Sequence, residues 1–344
     1  MRLPKDPREV TRRAKHLRKR GKIHDARELL QVALEKWPRN IFFWNMLISC
    51  CGDHPEQGEA LIEKMREAGV QPDRTSYSTL ANAYALAGEP AAAENVLTRM
   101  EEEDLEANIV TFGAVLKAYA IAKDPASAER ILDRMQGKGI RPDVAAYTTV
   151  VNAYAKAGKP EGAEETVAKM EDNNVRPNAK TLVTLMNAYA NAGDPAGTER
   201  TLQRMQENGL RPNLTALNTL MKAYARAGNA QGAERTLEVM HDLSMSPNET
   251  TYKTLMTAYL DAEDLRGAED LLERVKSEDC PLEPHVVHAL EDRVRWKHSC
   301  SELIERLHPT EESAGFWTRF ADFWKRLGQS IRNALRGGDG DSGG

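Results

Sequence analysis

Residues 144–178, VAAYTTVVNAYAKAGKPEGAEETVAKMEDNNVRPN, decide the fold of this chain. The stretch contains two amphipathic helical patterns, a Gly-x-Pro break between them and a closing Arg-Pro-Asn. Copies of it recur every 35 residues, at 74–108, 109–143, 144–178, 179–213, 214–248 and 249–283, with a less regular copy at 39–73. One fixed period is typical of a solenoid, whose units are too small to bury their own apolar faces. The period therefore predicts one array of repeats, although 344 residues would by length alone suggest about two domains.

Each copy is predicted to fold as a helical hairpin. When a copy is numbered from its first residue, positions 4, 7 and 11 are large and mostly apolar, as in Tyr147, Val150 and Tyr154. The spacing i, i+3, i+7 places them on one face of a first helix, which we call helix A. A glycine such as Gly158 ends helix A, and an N-cap residue such as Asp194 begins the second helix, helix B. The predicted fold class is all-α.

A methionine recurs on the inward face of helix B, as Met100, Met135, Met170, Met205 and Met240. A stripe of methionines is also found in promiscuous peptide grooves, but a core position of helix B favours packing between repeats. We interpret these methionines as core residues.

Positions 5, 9 and 13 form a second line along helix A, on a face distinct from the apolar stripe. Many of these residues are amides, hydroxyls or cations, and they recur at one phase along the array. Amides and hydroxyls can read base edges, whereas cations can meet phosphates. The cations are Lys117, Lys156, Lys222 and Arg226, and a second basic line before the closing prolines contains Arg141, Arg176 and Arg211. The pattern favours a ligand groove over helix positions that are merely solvated.

The copies share the consensus [ILV]-x-T-Y-x-T-L-x-N-A-Y-A-x-A-G-x-P-x-x-A-E-x-x-L-x-x-M-x-x-x-G-[ILV]-R-P-[DN], which closely resembles the pentatricopeptide repeat family over residues 39–283. The resemblance implies a right-handed α-solenoid of 35-residue helix-turn-helix repeats that binds single-stranded RNA, about one base per repeat. It also implies a role in the processing, stabilisation or translation of organellar transcripts, in a mitochondrion or chloroplast. We expect a monomer that needs no cofactor.

The resemblance further implies that positions 5 and 35 together choose the base. The pairs are Asn45/Asp73, Ser78/Asn108, Gly113/Asp143, Thr148/Asn178, Val183/Asn213, Asn218/Asn248 and Lys253/Glu283. The family's code assigns U to Asn/Asp, A to Ser/Asn and Thr/Asn, and C to Asn/Asn, and it assigns no base to the other three pairs. An Asp or Asn at position 35 also suits a turn and the N-cap of the next helix A, and both roles can hold at once.

Position 2 supplies an aliphatic wedge between bases in the family. Only Val110 matches this pattern, and the other copies carry Thr75, Ala145, Lys180, Thr215 and Thr250. The resemblance is therefore incomplete at a position that contributes to tight binding.

The N-terminal residues 1–22 are strongly basic. Ten Lys and Arg against Asp6 and Glu9 give a local charge of +8, so that the remainder of a chain with net charge −5 carries −13. An Arg-rich start is typical of an organelle presequence, but serines are lacking here. We interpret residues 1–38 as a basic segment with a degenerate first repeat or cap, in which 11–20 is helix A and 25–36 is helix B.

After residue 283 the repeat pattern ends. Residues 284–308 are predicted to form capping helices, which a terminal repeat needs to cover its apolar face. Residues 309–336 read as a basic aromatic amphipathic helix, whose stripe at 316–335 suits a membrane surface, a protein partner or a fold-back cap. Residues 337–344 are predicted to be a disordered tail.

Catalysis finds little support in the sequence. Neither the H-x-E nor the C-x-x-C signature of the deaminase that the family's editing members append occurs after the repeats, and 284–344 contains no acidic cluster with recognisable metal-ligand spacing. The residues His285, His288, His298 and Cys300 are interpreted as surface residues rather than as metal ligands. The predicted protein is therefore not an enzyme and holds no metal.

Two functions remain open from the sequence. The first is a sequence-selective RNA-binding solenoid, and the second is a protein–protein scaffold of the tetratricopeptide type. The acidic repeat region and the atypical residues at position 2 favour the scaffold, whereas the polar line of helix A favours RNA.

Overall fold

The computed structural model describes residues 3–52, 54–277 and 284–306. Within these ranges the regular elements are seventeen α-helices, without strands. They are α1 (Pro7–Lys19), α2 (Ile23–Lys36), α3 (Ile41–Ser49), α4 (Pro55–Glu67), α5 (Arg74–Ala87), α6 (Pro90–Glu102), α7 (Ile109–Ile121), α8 (Pro125–Gly137), α9 (Val144–Ala157), α10 (Pro160–Asp172), α11 (Ala179–Ala192), α12 (Pro195–Glu207), α13 (Leu214–Arg226), α14 (Ala230–Asp242), α15 (Glu249–Asp261), α16 (Leu265–Ser277) and α17 (Pro284–Arg306). The expected all-α repeat solenoid is confirmed.

The chain divides into two compact units, Met1–Glu263 and Asp264–Gly344. The first unit contains α1 to α15, and the second contains α16 and α17. Within the first unit, each helix A from α3 to α13 packs against its own helix B and against helix A of the next repeat. This nearest-neighbour packing is what a solenoid requires.

Local sequence explains where the helices begin and end. An Asp or Asn at position 35 caps each helix A from α5 to α15; for example, the Asn178 side chain accepts a hydrogen bond from the Thr181 backbone N–H at 2.9 Å. Gly158 follows α9 with a φ of 68°, a left-handed conformation that glycine adopts without steric cost. Asp194 caps α12 through the Gly197 backbone N–H, and Pro195 fills the first helical position. The capping residues predicted for helices A and B are confirmed.

The core lies between neighbouring hairpins. Residues at position 4 such as Tyr77 and Tyr147 are almost fully buried. The recurring methionines of helix B are all fully buried, namely Met100, Met135, Met170, Met205 and Met240. Their interpretation as packing residues is confirmed, and the alternative of a methionine-lined peptide groove is wrong.

Neighbouring repeats are also joined by a ladder of tyrosine, glutamate and a cation. A helix B glutamate accepts a hydrogen bond from the position 11 tyrosine of the next repeat; the Tyr84 hydroxyl lies 2.7 Å from the Glu59 carboxylate. Arg99 donates to the same carboxylate at 2.7 Å. The same three-residue arrangement recurs as Tyr154, Glu129 and Lys169, and as Tyr189, Glu164 and Arg204. Cations therefore neutralise several acids of the acidic repeat region.

One rung of this ladder differs. Tyr224 donates to Glu199, but Val239 occupies the position at which Arg99, Lys169 and Arg204 stand in other repeats. Burial, followed by the hydrogen bond to Glu199, raises the pKa of Tyr224 to about 12. The tyrosine hydroxyl therefore remains protonated at neutral pH and keeps donating to the carboxylate.

The irregular copy begins two residues later than the predicted start at 39. Asn40 caps α3 by accepting from the Phe42 backbone N–H at 3.1 Å, so Ile41 is its first helical residue. Asn45 is then the fifth residue of this helix A. Two residues are missing from the turn before α4 relative to the regular copies, and this deletion makes the copy irregular.

The N-terminal segment forms a helical hairpin. Asp6 caps α1 and accepts from the Arg8 backbone N–H at 2.8 Å, so the helix begins four residues before the predicted Thr11. Gly21 follows α1 with a φ of 73°. Val10 and Ala14 are fully buried in the same cluster as Leu30 of α2. The segment thus has the two-helix architecture of a repeat.

The second unit contributes α16 and α17 to the described residues. Asp264 caps α16 by accepting from the Gly267 backbone N–H at 2.9 Å. α17 occupies most of the range predicted for capping helices, whereas the predicted aromatic helix at 309–336 and the tail at 337–344 lie outside the described residues. Within those residues, no helix combines the length and apolar character needed to span a bilayer.

Candidate nucleic-acid interface

The predicted base-reading residues meet at the junction between consecutive helices A. Position 5 lies on the second turn of one helix A, and position 35 caps the N-terminus of the next. Two pairs are in direct contact: Asn45 Nδ2 lies 3.0 Å from Asp73 Oδ1, and Asn218 Nδ2 lies 3.4 Å from Asn248 Oδ1. The fold therefore brings together residues that are about thirty positions apart in the chain.

Two other pairs are joined through a third side chain. The Ser78 hydroxyl lies 2.7 Å from the Thr111 hydroxyl, which in turn donates to Asn108 Oδ1 at 3.2 Å. The Thr148 hydroxyl lies 2.8 Å from the Thr181 hydroxyl, which donates to Asn178 Oδ1 at 3.1 Å. Position 3 of the following repeat thus links positions 5 and 35.

Sequence reasoning missed this linking residue. In the four repeats concerned, this residue is Ser76, Thr111, Thr181 and Thr251, and all four side chains are fully buried. A Ser or Thr three residues after an Asp or Asn N-cap looks like an ordinary capping residue. The sequence does contain a signal for it. Between α3 and α15, position 3 is Ser or Thr in the repeat after a polar position 5, and it is alanine after Gly113 and Val183.

The pairs without an assigned base also differ in structure. Where the linked repeats carry a hydroxyl at position 3 of the following repeat, these two carry alanine. The alanine is Ala146 in the repeat after Gly113 and Ala216 in the repeat after Val183. Asp143 and Asn213 accept from the backbone N–H groups of these alanines at 2.8 and 2.9 Å, so they serve as N-caps. In the last predicted pair, Lys253 forms an ion pair with Glu249 at 2.5 Å, and Glu283 lies outside the described residues.

The predicted phosphate-contacting residues of helix A lie between neighbouring repeats. Lys117 Nζ lies 3.5 Å from Asn82 Oδ1, and Lys222 Nζ lies 2.9 Å from Asn191 Oδ1. Arg226 donates to the Asn191 backbone carbonyl at 2.6 Å. These contacts join position 9 or 13 of one helix A to position 9 or 13 of the previous one, at the junction of α5 with α7 and at that of α11 with α13.

The remaining predicted cations are on the surface. Lys156, Arg141, Arg176 and Arg211 are exposed, and Arg141 donates to the Asn173 backbone carbonyl at 3.0 Å. The second basic line therefore lies at the turns that close the repeats, next to the position 35 residues.

Position 2 carries an exposed aromatic residue that the predicted register had concealed. With Ile41 as the first residue of its repeat, Phe42 takes position 2, and its side chain is 70% exposed. Val110, the match found from sequence, is 62% exposed at the same position. An exposed large apolar side chain beside a base-reading position offers a stacking surface for a base.

The corrected register also completes a pair in the first hairpin. Thr11 is the fifth residue of α1, and its hydroxyl donates to the Pro7 carbonyl at 3.1 Å, much as Thr148 donates to the Val144 carbonyl. Asn40 closes the repeat, but the residue at position 3 of the next helix A is Phe43. The first hairpin thus carries a Thr/Asn pair without a linking hydroxyl.

The described residues contain no group of three or more His, Cys, Asp or Glu that could hold a metal ion. The arrangement at the helix A junctions consists instead of hydrogen-bonding groups and cations. Such groups can bind a polar or anionic ligand and discriminate between ligands by their hydrogen-bonding pattern.

Comparison with solved structures identifies the fold. The crystal structure of the maize pentatricopeptide repeat protein PPR10 is 20% identical, with a TM-score of 0.54 over 86% of this chain and 47% of that chain. PPR10 in complex with an 18-nucleotide psaJ RNA element is 18% identical, with a TM-score of 0.50 over 83% of this chain and 46% of that chain. The chain thus spans about half the length of these proteins. No curated protein gave a significant match to the sequence.

Family models decide the classification. The pentatricopeptide repeat domain matches residues 60–122, 130–192, 172–227 and 200–261, and the single pentatricopeptide repeat matches 110–140 and 250–280. These matches cover more than half of the chain and coincide with the hairpins described above. The chain belongs to the pentatricopeptide repeat family.

Proposed function

We propose that this protein binds single-stranded RNA sequence-selectively, with about one base per repeat. The observation that carries the proposal is the clustering of positions 5 and 35 at successive helix A junctions, beside a line of cations. The complex of PPR10 with RNA, a protein of the same fold, adds support. We further propose that the protein acts without catalysis, by occupying organellar transcripts during processing, stabilisation or translation.

The family's code gives the proposal a specific target. Along the array, Asn45/Asp73 selects U, Ser78/Asn108 and Thr148/Asn178 each select A, and Asn218/Asn248 selects C. The intervening pairs with Gly113 and Val183 accept any base. The proposed target therefore reads U-A-N-A-N-C in the order of the repeats, where N is any base.

Phe42 contributes to this binding surface in the proposal. Base–aromatic stacking is worth about 1–3 kcal/mol per base and tolerates every base, because each has a π-face. The exposed ring therefore strengthens binding at the first selective junction without narrowing its choice of base.

The acidic charge of the repeat region gives less support to a protein scaffold than the sequence suggested. Glu59, Glu129 and Glu164 accept from tyrosines and cations in the ladder between repeats, away from the base-reading junctions. Because these acids stabilise repeat stacking, they do not define a surface for basic partners.

Recoding one repeat tests the proposed function. In Asn218→Thr, the new hydroxyl can bond to Thr251 as Thr148 bonds to Thr181, so the pair becomes a copy of Thr148/Asn178. We expect the preference at one RNA position to move from C to A by about 1 kcal/mol, the size of one net hydrogen bond, or roughly fivefold in affinity. The measurement is binding to RNA pools randomised at each position.

Two matched variants sharpen this test. The reciprocal change Thr148→Asn should move preference at a different position from A towards C. Thr149→Asn alters the neighbouring residue, whose hydroxyl donates to its own helix at the Ala145 carbonyl, and should change no preference. A preference that moves nowhere in Asn218→Thr, or at several positions together, would contradict one-repeat-one-base reading.

A further inference from the structure

We propose that the buried hydroxyl at position 3 of the following repeat is a specificity-positioning residue, which fixes how position 5 is presented to a base. The residues are Ser76, Thr111, Thr181 and Thr251, and we call the contact that each makes with position 5 the hydroxyl link. The inference rests on the proposed function and deepens it, because it states which repeats can discriminate between bases.

Hydrogen-bond geometry shows how the link orients an amide. The Thr251 hydroxyl oxygen accepts from the Asn248 backbone N–H at 3.1 Å. Its single hydrogen can be donated to Asn218 Oδ1 at 2.8 Å or to Asn248 Oδ1 at 3.1 Å, and the shorter contact is the one with Asn218. With Oδ1 held by Thr251, the amide nitrogen of Asn218 faces Asn248 Oδ1, and position 5 is presented as a donor.

The same arrangement recurs at the other end of the array. The Asp73 backbone N–H donates to the Ser76 hydroxyl at 3.1 Å, and Ser76 donates to Asn45 Oδ1 at 2.6 Å. Asn45 Nδ2 then donates to Asp73 Oδ1 at 3.0 Å. An amide nitrogen carries two hydrogens, so one remains for a base. A donor held in this orientation matches a carbonyl oxygen of a pyrimidine.

Where position 5 is a hydroxyl, the link restricts its rotation instead. The Ser78 hydroxyl lies 2.8 Å from the Arg74 carbonyl and 2.7 Å from the Thr111 hydroxyl. The Arg74 carbonyl can only accept, so the one hydrogen of Ser78 is used within the protein and only acceptor capacity remains for a base. The link restricts which hydrogen-bonding capacity of Ser78 is offered to a base.

The pattern along the chain supports the assignment. The four polar residues at position 5 between α3 and α13 are each followed by a linking hydroxyl, whereas Gly113 and Val183 are followed by Ala146 and Ala216. A role in helix capping alone does not explain this pairing, because Asp143 and Asn213 cap their helices without a hydroxyl. The residue type at position 3 therefore varies together with the residue type at position 5 of the previous repeat.

Burial determines how the hydroxyl can act. Thr111, Thr181 and Thr251 are fully buried between helices, so a base cannot touch them. They are therefore positioning residues, and their influence on RNA passes through position 5. The first hairpin, where Phe43 replaces the hydroxyl beside Thr11, should discriminate poorly although its Thr/Asn pair matches the code for A.

Removing one link tests the inference. Thr251→Val keeps the shape of the side chain and removes the hydroxyl. We expect the preference for C at the position read by Asn218 to fall from roughly fivefold, the worth of one net hydrogen bond, towards onefold, while the preferences at the other positions stay unchanged. Thr251→Ser should restore the preference. Thr254→Val, which removes a hydroxyl that donates to its own helix at the Thr250 carbonyl, is the matched control.

Building a new link is the converse test. Val183→Asn alone should gain little selectivity, whereas Val183→Asn combined with Ala216→Thr should create a preference for C at a position where wild type accepts any base. If the hydroxyl had only a structural role, removing it would lower the stability of the protein and the affinity for all RNAs alike. The base preference at the single position would not change. Thermal unfolding of each variant checks that the array is intact.

The outcomes separate this inference from the proposed function. If wild type selects bases but Thr251→Val keeps its preference for C, and the double variant gains no more than Val183→Asn, the hydroxyl link is wrong and the base-reading proposal stands. If wild type shows no base preference at any position, the proposed function itself fails.

Discussion

Excision of the complete repeat 144–178 leaves a folded, shorter protein, whereas excision of α9 with the two-residue turn after it, residues 144–159, abolishes cooperative folding. In the first variant, Asp143 becomes the N-cap of α11 in place of Asn178, and both residues already cap a helix A. The surfaces that come together carry equivalent residues, since Leu182 and Leu185 take the places of Tyr147 and Val150.

The second variant breaks the alternation of helices A and B. It removes Tyr147, Val150 and Val151, which are almost fully buried, and brings α8 directly before α10. Burial of one such side chain is worth about 1.5–3 kcal/mol, so the loss approaches the whole stability of a typical domain, about 5–15 kcal/mol. Removing α9 also leaves the faces of α7 and α11 that packed against it without partners.

Circular dichroism distinguishes the two variants. The whole-repeat deletion should keep a cooperative thermal transition and lose helical signal only in proportion to the two helices removed. The deletion of α9 should lose far more signal and melt without a clear transition. Equal collapse of both variants would indicate a core that extends beyond neighbouring repeats.

Replacing Lys117, Lys156, Lys222 and Arg226 together by glutamine weakens binding to every RNA sequence. These cations lie along helix A beside the base-reading junctions, and each is assigned one phosphate. Single strands contribute a slope of about −0.7 in log K against log salt per phosphate contacted, so four lost contacts change the slope by about 3. At 0.1 M salt the affinity should fall by on the order of a hundredfold or more.

A charge-matched control separates groove cations from net charge. Lys64, Lys138, Lys159 and Arg235 are exposed cations of helix B or its ends, and their replacement by glutamine removes the same charge elsewhere. Lys138 loses an exposed ion pair with Glu101, which costs little stability. The control should keep the wild-type slope to within about one phosphate contact. Equal slopes for both variants would place the RNA on another surface.

Much of the fold could be predicted from the sequence because it depends on local chemistry repeated at one period. The caps Asn178 and Asp194, the turn at Gly158 and the buried Met170 each follow from residues within one turn of helix or from the apolar spacing. Features that depend on two repeats were missed. The Tyr84–Glu59–Arg99 rung joins residues 25 and 40 positions apart, and such partners are not visible in a single helical pattern.

The candidate site shows the same division. Positions 5 and 35 were named through family resemblance, but the link from Ser78 through Thr111 to Asn108 required the packing of two helices A. Phe42 was missed because a two-residue deletion in the turn after α3 concealed the register of its repeat. The N-cap Asn40 restored that register once the start of α3 was known.

The most direct test of the account is selection of RNA from a fully randomised single-stranded pool by the wild-type protein. We predict one motif, U-A-N-A-N-C in the order of the repeats, with selective positions at the four linked junctions and none at the pairs of Gly113 and Val183. Enrichment of no sequence, or of a motif whose selective positions fall at those two pairs, would contradict it.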